Sequence, residues 1–273
     1  MISFPPIPPA ASRAAKAHPG DQTGIKTAGA TMAVILPIYK AAGHIDEVVD
    51  RVVAFAETAP NYSFYFVNDG SPDATGAQLQ AAVTRCAHPR VHELDLTANR
   101  GKGGAVAYGF AHAAPEAQYL AFLDGDLPYA FTDLDTLYAA LAHADIAIGS
   151  RRHENQIHGA PRRRHLIGRL FNIGVRLGFG FSYQDTQAGL KAFRREAARR
   201  IFGLMTTTGF SFDVEVLFLA RRQGWRVVEE PVHLQPGHAF ETRPLRLVRI
   251  ALRMAWDVVR IRSNALLGRY DPR

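Results

Sequence analysis

The amino-acid sequence predicts an α/β fold in which a mostly parallel, Rossmann-like sheet is flanked by helices. Two observations carry that prediction. Short apolar runs of strand length recur along the first half of the chain, and segments with helical apolar spacing lie between them. The second, third and fourth runs also lead into glycine, asparagine or aspartate, residues that make turns. Strands alternating with amphipathic helices give a parallel sheet with right-handed crossovers. Ligands of such sheets sit beyond the carboxyl ends of the strands, so the loops that follow them share one edge, and that edge is the expected site.

The elements follow in order. Ala33-Val34-Ile35-Leu36 runs into Pro37-Ile38-Tyr39, and a helix is expected over His44–Glu57. Ser63–Val67 runs into Asn68-Asp69-Gly70-Ser71-Pro72-Asp73, a turn leading to a helix over Thr75–Arg85, with Asp73 as its cap. Val91–Leu96 runs into Asn99-Arg100-Gly101-Lys102-Gly103-Gly104 and a helix over Ala105–Ala114. Bare backbone in that glycine-rich start can approach a ligand closely, and a helix start favours anions. The loop lacks the Gly-Lys-Ser/Thr ending of a Walker loop and reads equally as a flexible turn.

Tyr119–Leu123 reads as a buried strand ending in Asp124-Gly125-Asp126. Two carboxylates with one flexible spacer can meet a hard divalent cation that keeps its waters and bridges to substrate phosphates, although surface turns produce the same pattern. Ile146-Ala147-Ile148 is a further short strand delivering Gly149-Ser150-Arg151-Arg152, whose two arginines are fixed cations with forked donors suited to phosphate oxygens. The run Arg162-Arg163-Arg164-His165 opens a helix to Leu177 with a greasy side, which is a solvated face or a seat for a phosphate with an apolar tail. Phe212-Asp213-Val214-Glu215 begins another helix, where acids are also favoured by the dipole. Leu245–Leu267 is helical in pattern, basic on one side and apolar with Trp256 on the rest. It is expected to lie in a membrane interface, to dock on the catalytic domain or to meet a second subunit.

Composition narrows the function classes. The chain has 273 residues, 47% of them hydrophobic, enough for one good-sized core with an appendage. A single cysteine, Cys86, excludes an internal disulfide or a cysteine-based zinc cluster and fits a reducing, cytoplasmic setting. No run of eighteen apolar residues exists to span a membrane. The formal charge of +7 suits an anionic partner such as a phospholipid surface. Nucleic acid is not expected, because the basic residues form no recognition helix or aromatic platform. Residues 1–31, proline-rich and without an apolar period, read as a disordered or loosely packed tail; residues 32–244 form the domain, and residues 245–273 the basic amphipathic helix and tail. The sequence sets no oligomeric state.

The ordered series Pro37-Ile38-Tyr39, Asn68–Asp73, Asn99–Gly103, Asp124-Gly125-Asp126, Gly149-Ser150-Arg151, Asp185–Lys191 and Phe212–Glu215 resembles the inverting glycosyltransferases of family 2. Within it the series is most similar to the branch containing the polyprenyl- and dolichyl-phosphate sugar transferases, over about Met32–Pro244. The resemblance implies a GT-A type fold and a nucleotide-sugar donor, UDP-glucose or GDP-mannose. It implies that Pro37 and Tyr39 line the base, that Asp69 accepts the base imide proton, and that Arg100, Gly101 and Lys102 lie near ribose or diphosphate. Asp124, Gly125 and Asp126 would then serve the donor, with Mg2+ or Mn2+ on Asp124 and Asp126. Gln187 would approach sugar and acceptor, Gly189 and Lys191 would fix a turn and an anion contact, and Glu241-Thr242-Arg243 would hold phosphate. The loop Gln235–Phe240 is a candidate lid. One departure is visible: where relatives of the mannose-synthase type carry a glutamine, this chain has Pro128, followed by Tyr129, so another group must complete the metal shell.

The expected reaction is transfer of glucose or mannose to polyprenyl phosphate, on the cytosolic face of a membrane, with Asp126, Asp213, Gln187 and Arg151 in the catalytic group. A phosphate monoester is largely dianionic at neutral pH, with a second pKa of about 6. It needs cations to place it rather than a base, and a single displacement with inversion follows. A sugar hydroxyl acceptor would instead need Asp213 or Glu215 as base. That soluble-acceptor reading, and a catalytically silent nucleotide-sugar binding module motivated by Pro128, stay open at this point.

Overall fold

A computed structural model describes residues 31–151, 178–209, 211–235 and 256–271. The tail before residue 31, Arg152, the basic run Arg162–His165 with its helix, the loop from Pro236 to Phe240, Glu241-Thr242-Arg243 and residues 245–255 lie outside the described residues.

The chain alternates β1 (Met32–Ile38), α1 (Ile45–Thr58), β2 (Tyr62–Asn68), α2 (Thr75–Cys86), β3 (Val91–Asp95), α3 (Lys102–His112), β4 (Tyr119–Leu123), α4 (Thr132–Ala140) and β5 (Ile146–Ser150). There follow β6 (Leu190–Arg194), α5 (Arg195–Leu204), α6 (Phe212–Arg222) and β7 (Val227–Pro231), then a helix, α7, over residues 256–266. The strands form a seven-stranded sheet in the order β3-β2-β1-β4-β6-β5-β7. Pairings are parallel except those of β6, which runs antiparallel to both β4 and β5.

The pleat alternation divides the core into two layers. Val34 and Leu36 of β1 face α1, α2 and α4 with Val49, Val52 and Leu134, whereas Ala33 and Ile35 face α3, α5 and α6 with Phe110, Phe202 and Phe212. Helices therefore cover both faces of the sheet, as a buried, largely parallel sheet requires. Phe64, Phe66, Phe110, Phe122, Phe193 and Phe212 are all but fully buried, each stabilising by about 1.5–3 kcal/mol, so the strand ends that carry polar side chains stand on a rigid base.

Two features position the site. The parallel strands β1 to β4 deliver their following loops to one edge, as expected. The antiparallel β6 pairs Leu190 with Leu123 at the end of β4, so it brings its preceding loop, Asp185–Gly189, to the same edge. α7 contributes to the second layer, with Ile261 buried against α6, and the turn after it buries Tyr270 there. Of the readings open for this segment, docking on the catalytic domain is the one observed for residues 256–271, while Trp256, Val259, Leu266 and Leu267 of the same stretch stay exposed. Among the described residues no helix is long and apolar enough to cross a membrane.

Candidate active site

The edge beyond β1 to β4 is knitted together by polar side chains at strand ends. Pro37 lies inside β1, paired with Val67, and Tyr39 follows it with its ring 45% exposed at the rim. Asp69, just beyond β2, is buried and accepts from the Arg100 backbone N–H at 2.7 Å. Burial pushes its carboxyl above the usual range against the pull of that N–H and of Gly101. Asn68 accepts from Ser71 N–H and donates to Asp95 at 2.8 Å, fixing the turn between β2 and α2. Asp73, expected as the cap of α2, lies one residue before the N-cap position, which Ala74 occupies, and accepts from both the backbone N–H and the hydroxyl of Thr75.

The glycine loop differs from expectation in one respect. The N–H of Gly103 donates at 2.8 Å, and that of Gly104 at 3.4 Å, to the Thr208 carbonyl, so these amides at the start of α3 already have an internal acceptor. Gly101 has φ +80°, and a Cβ there would stand 2.6 Å from the same carbonyl, which is why glycine occupies it. The cationic contacts the loop offers an anion are therefore the side chains of Arg100, exposed at the rim, and Lys102.

Lys102 reaches the aspartate pair: its Nζ lies 2.5 Å from Asp124 Oδ1 and over the rings of Phe122 and Phe212. Burial works to lower the lysine pKa, but Asp124 and Asp213 override it and hold Nζ protonated. Gly125, expected as a flexible spacer, is glycine because of close packing. A Cβ on it would stand 2.6 Å from the Pro37 carbonyl and collide with Ile38. The turn then continues through Leu127, which adopts the left-handed φ of 50°, and the Leu127 N–H donates to the Asp124 carbonyl at 3.0 Å. Asp126 is exposed at the tip of this turn.

Across from the aspartates stands the Asp185–Gly189 loop. Arg151, expected to contact phosphate, forks onto Asp185 instead, with Nε 2.6 Å and Nη2 2.9 Å from the carboxylate oxygens. Burial favours the neutral acid at Asp185, yet the guanidinium wins and holds that carboxyl below its ordinary value. The Asp185 carboxylate also accepts from the Gln187 N–H, while Glu229 of β7 accepts the N–H groups of Gln184 and Asp185. Gln187 is thereby carried at the loop crest, half-buried. Gly189 closes the loop: its carbonyl accepts from Asp124 N–H at 2.9 Å, and its N–H donates to the Tyr129 hydroxyl at 3.0 Å.

Two expectations are corrected here. Lys191 makes no contact with an outside anion: it is 0% exposed and its Nζ binds the Ala188 carbonyl at 2.7 Å and Asp213 Oδ1 at 2.6 Å. Burial pushes the Lys191 pKa down, opposed chiefly by the Asp213 carboxylate and also by Asp185. Asp213, a candidate base, is thus committed to an internal ion pair. Glu215, the other candidate, is 0% exposed and accepts from Thr206, Thr207 and Tyr270. Sequence reasoning missed Tyr129 and Glu229 as supports of the sugar-side loop. Tyr129 stood beside the Pro128 departure, a usable signal; Glu229 carries none.

The arrangement fits a divalent cation on the donor. Asp126 presents an exposed carboxylate and Asp124 a partly exposed one from a single turn, hard oxygen donors that would suit Mg2+ or Mn2+. Lys102 pairs with Asp124 and balances its charge.

Comparison with known proteins agrees with this geometry. The family model described as Glycosyl transferase family 2 matches residues 33–202. Dolichyl-phosphate beta-glucosyltransferase of Saccharomyces cerevisiae is 30% identical over 88% of this chain and 76% of its own length. Polyprenol monophosphomannose synthase of Mycolicibacterium smegmatis is 32% identical over 73% of this chain and 75% of its own. Among solved structures, glucosyl-3-phosphoglycerate synthase from Mycobacterium tuberculosis, in complex with Mn2+, uridine diphosphate and glucosyl-3-phosphoglycerate, superposes with a TM-score of 0.61 at 17% identity. That superposition covers 85% of this chain and 79% of the other and establishes the shared GT-A-like fold.

Proposed function

Because the chain belongs to glycosyl transferase family 2 and is a glycosyltransferase, we propose that it moves a hexose, glucose or mannose, from a nucleotide sugar to polyprenyl phosphate with inversion. The observation that carries the choice of acceptor is the commitment of Asp213 to Lys191 and of Glu215 to Thr206, Thr207 and Tyr270. A hydroxyl nucleophile would have needed one of them as base. A phosphate arrives already anionic and needs only to be placed.

In this reading the base lies against Tyr39 and Pro37, and Asp69 offers its second oxygen to the base imide N–H. Arg100 and Lys102 supply positive charge beside the diphosphate. Asp124 and Asp126 would hold Mg2+ or Mn2+, which would supply Lewis acidity for the departing nucleoside diphosphate. The Gln187 loop, held by Arg151, Asp185, Glu229 and Tyr129, orients sugar and acceptor; such positioning lowers the barrier without acid or base chemistry. An acceptor phosphate oxygen attacks the anomeric carbon opposite the leaving group. The C–O bond to the diphosphate breaks, its electron pair leaves with the nucleoside diphosphate, and an α-linked donor gives a β-linked sugar phosphate.

The names of the curated relatives support a lipid-linked acceptor. So does the exposure of Trp256, Val259, Leu266 and Leu267 next to Arg260, Arg262 and Arg269, which suits peripheral contact with the cytosolic face of an anionic membrane.

The test incubates the purified chain with UDP-glucose, GDP-mannose or UDP-N-acetylglucosamine, with and without a short polyprenyl phosphate and Mn2+, and follows nucleoside diphosphate release. Release that depends on one donor and on the lipid phosphate is expected and names the sugar. Nucleotide binding without lipid-dependent release from any donor would overturn the reading.

A further inference from the structure

The C-terminal segment closes a hydrogen-bond path that ends on the glycine loop. Glu215, in the first turn of α6, is fully buried and accepts four hydrogen bonds. Three come from residues 206 and 207: Thr206 N–H at 3.0 Å, Thr206 Oγ1 at 2.7 Å and Thr207 N–H at 2.6 Å. The fourth comes from the Tyr270 hydroxyl at 2.5 Å. From α7, Asn264 Nδ2 donates to Thr206 Oγ1 at 3.1 Å and Arg260 Nη2 to Thr207 Oγ1 at 2.9 Å. The next residue, Thr208, turns its carbonyl onto Gly103 N–H and into the space a Cβ on Gly101 would need. Arg100, at the other end of that loop, is fixed to Asp69.

A buried carboxylate is a costly way to dock a helix that Ile261 already anchors by apolar packing. Its geometry has a more specific consequence, because it fixes two successive residues immediately before the carbonyl that sets the loop. We propose that Glu215 and Tyr270 are positioning residues for the donor nucleotide, and that the 256–271 segment buttresses the Arg100–Gly104 loop through Thr206, Thr207 and Thr208. The inference rests on the assignment of that loop to the donor diphosphate.

The test measures the dissociation constants of UDP and GDP with Mn2+ by calorimetry for the full chain, for Tyr270→Phe and for Thr207→Val, together with steady-state constants and melting temperatures. Thr207→Val keeps the backbone donor to Glu215 and removes the acceptor for Arg260. Arg222→Ala is the control: it breaks the ion pair to Asp271 on the same segment without touching the path. Both path variants are expected to weaken nucleotide binding about three- to tenfold and to raise the donor KM in step, with acceptor KM and kcat at saturating donor unchanged. The control is expected to match the wild type. Unchanged nucleotide binding in the path variants, or an equal fall of all constants that tracks melting temperature, would overturn the inference alone. Failure of the wild-type chain to bind either nucleotide would remove the donor-loop assignment and the inference with it.

Discussion

Gly189 lies so close to Asp124 that a methyl group on its Cα would overlap the Asp124 carboxylate, and the two residues are also joined by a backbone hydrogen bond of 2.9 Å. The Asp185–Gly189 loop and Asp124, proposed above to serve sugar and metal, are therefore one packed unit. Gly189→Ala should leave the fold intact, because the obstructing atoms are the end of a side chain that can turn, at a cost of about 1–3 kcal/mol. Turning it draws the carboxylate away from Lys102. Activity should fall about a hundredfold, the scale of a misplacement near 1 Å. Comparing melting curves with turnover checks this; retained turnover would refute the coupling.

Asp126 is the exposed member of the pair, and its replacement separates metal use from nucleotide binding. Asp126→Asn should lower turnover by about a thousandfold, the several kcal/mol a Lewis acid supplies to a leaving phosphate. Chelation of wild-type protein should do the same, reversibly. Contacts through Tyr39, Asp69 and Arg100 remain, so nucleoside binding should persist in metal-free buffer. A Mn2+ titration of turnover in both proteins decides the matter, and equal activation would remove Asp126 from the metal site.

Much of this unit was legible in the sequence, and the failures have physical reasons. β1, β2 and β4 announce themselves because strands buried on both faces read as apolar runs, and the end of β2 carries a turn residue, Asn68, that bonds Asp95. β6 is not legible as a strand: in Leu-Lys-Ala-Phe-Arg the charge at Lys191 breaks the apolar run, and nothing local reveals that Asp213, 22 residues away, neutralises it. The antiparallel placement of β6 between β4 and β5 is a tertiary fact of the same kind. Arg151 was read as a phosphate ligand because an arginine after a strand end is indistinguishable in sequence from one that forks onto an aspartate 34 residues later. Glu229 and Tyr129 act through backbone groups of distant residues, which leave no pattern in their own neighbourhood.

The Lys191–Asp213 pair should behave as structure, not as catalyst. Removing one partner of a buried pair costs about 3–5 kcal/mol, so Lys191→Met should destabilise strongly, while Lys191→Met with Asp213→Leu should recover a good part of the loss. Asp213→Asn should lower stability without altering the shape of kcat/KM against pH between about 6 and 9. Denaturant melts and a pH profile read both, and loss of the acidic limb in Asp213→Asn would restore it as a base.

The Arg151–Asp185 fork makes a signed pH prediction. Burial alone would raise the Asp185 pKa, and Arg151 reverses that, so the folded carboxyl titrates below its unfolded value of about 3.9. A carboxyl depressed by folding contributes stability that is fully present above the unfolded pKa and is lost as pH falls through the folded one. Between about pH 5 and pH 7 the contribution should be constant, and it should decline below about pH 4. Asp185→Asn leaves Arg151 without its charged partner and should cost about 3 kcal/mol at neutral pH, the lower end for a broken buried pair, because the arginine keeps some solvent contact. The stability difference between wild type and variant should then shrink as the medium is acidified. Urea melts of both proteins at a series of pH values measure that difference, and one that grew toward low pH would show that the fork does not hold the carboxylate ionised.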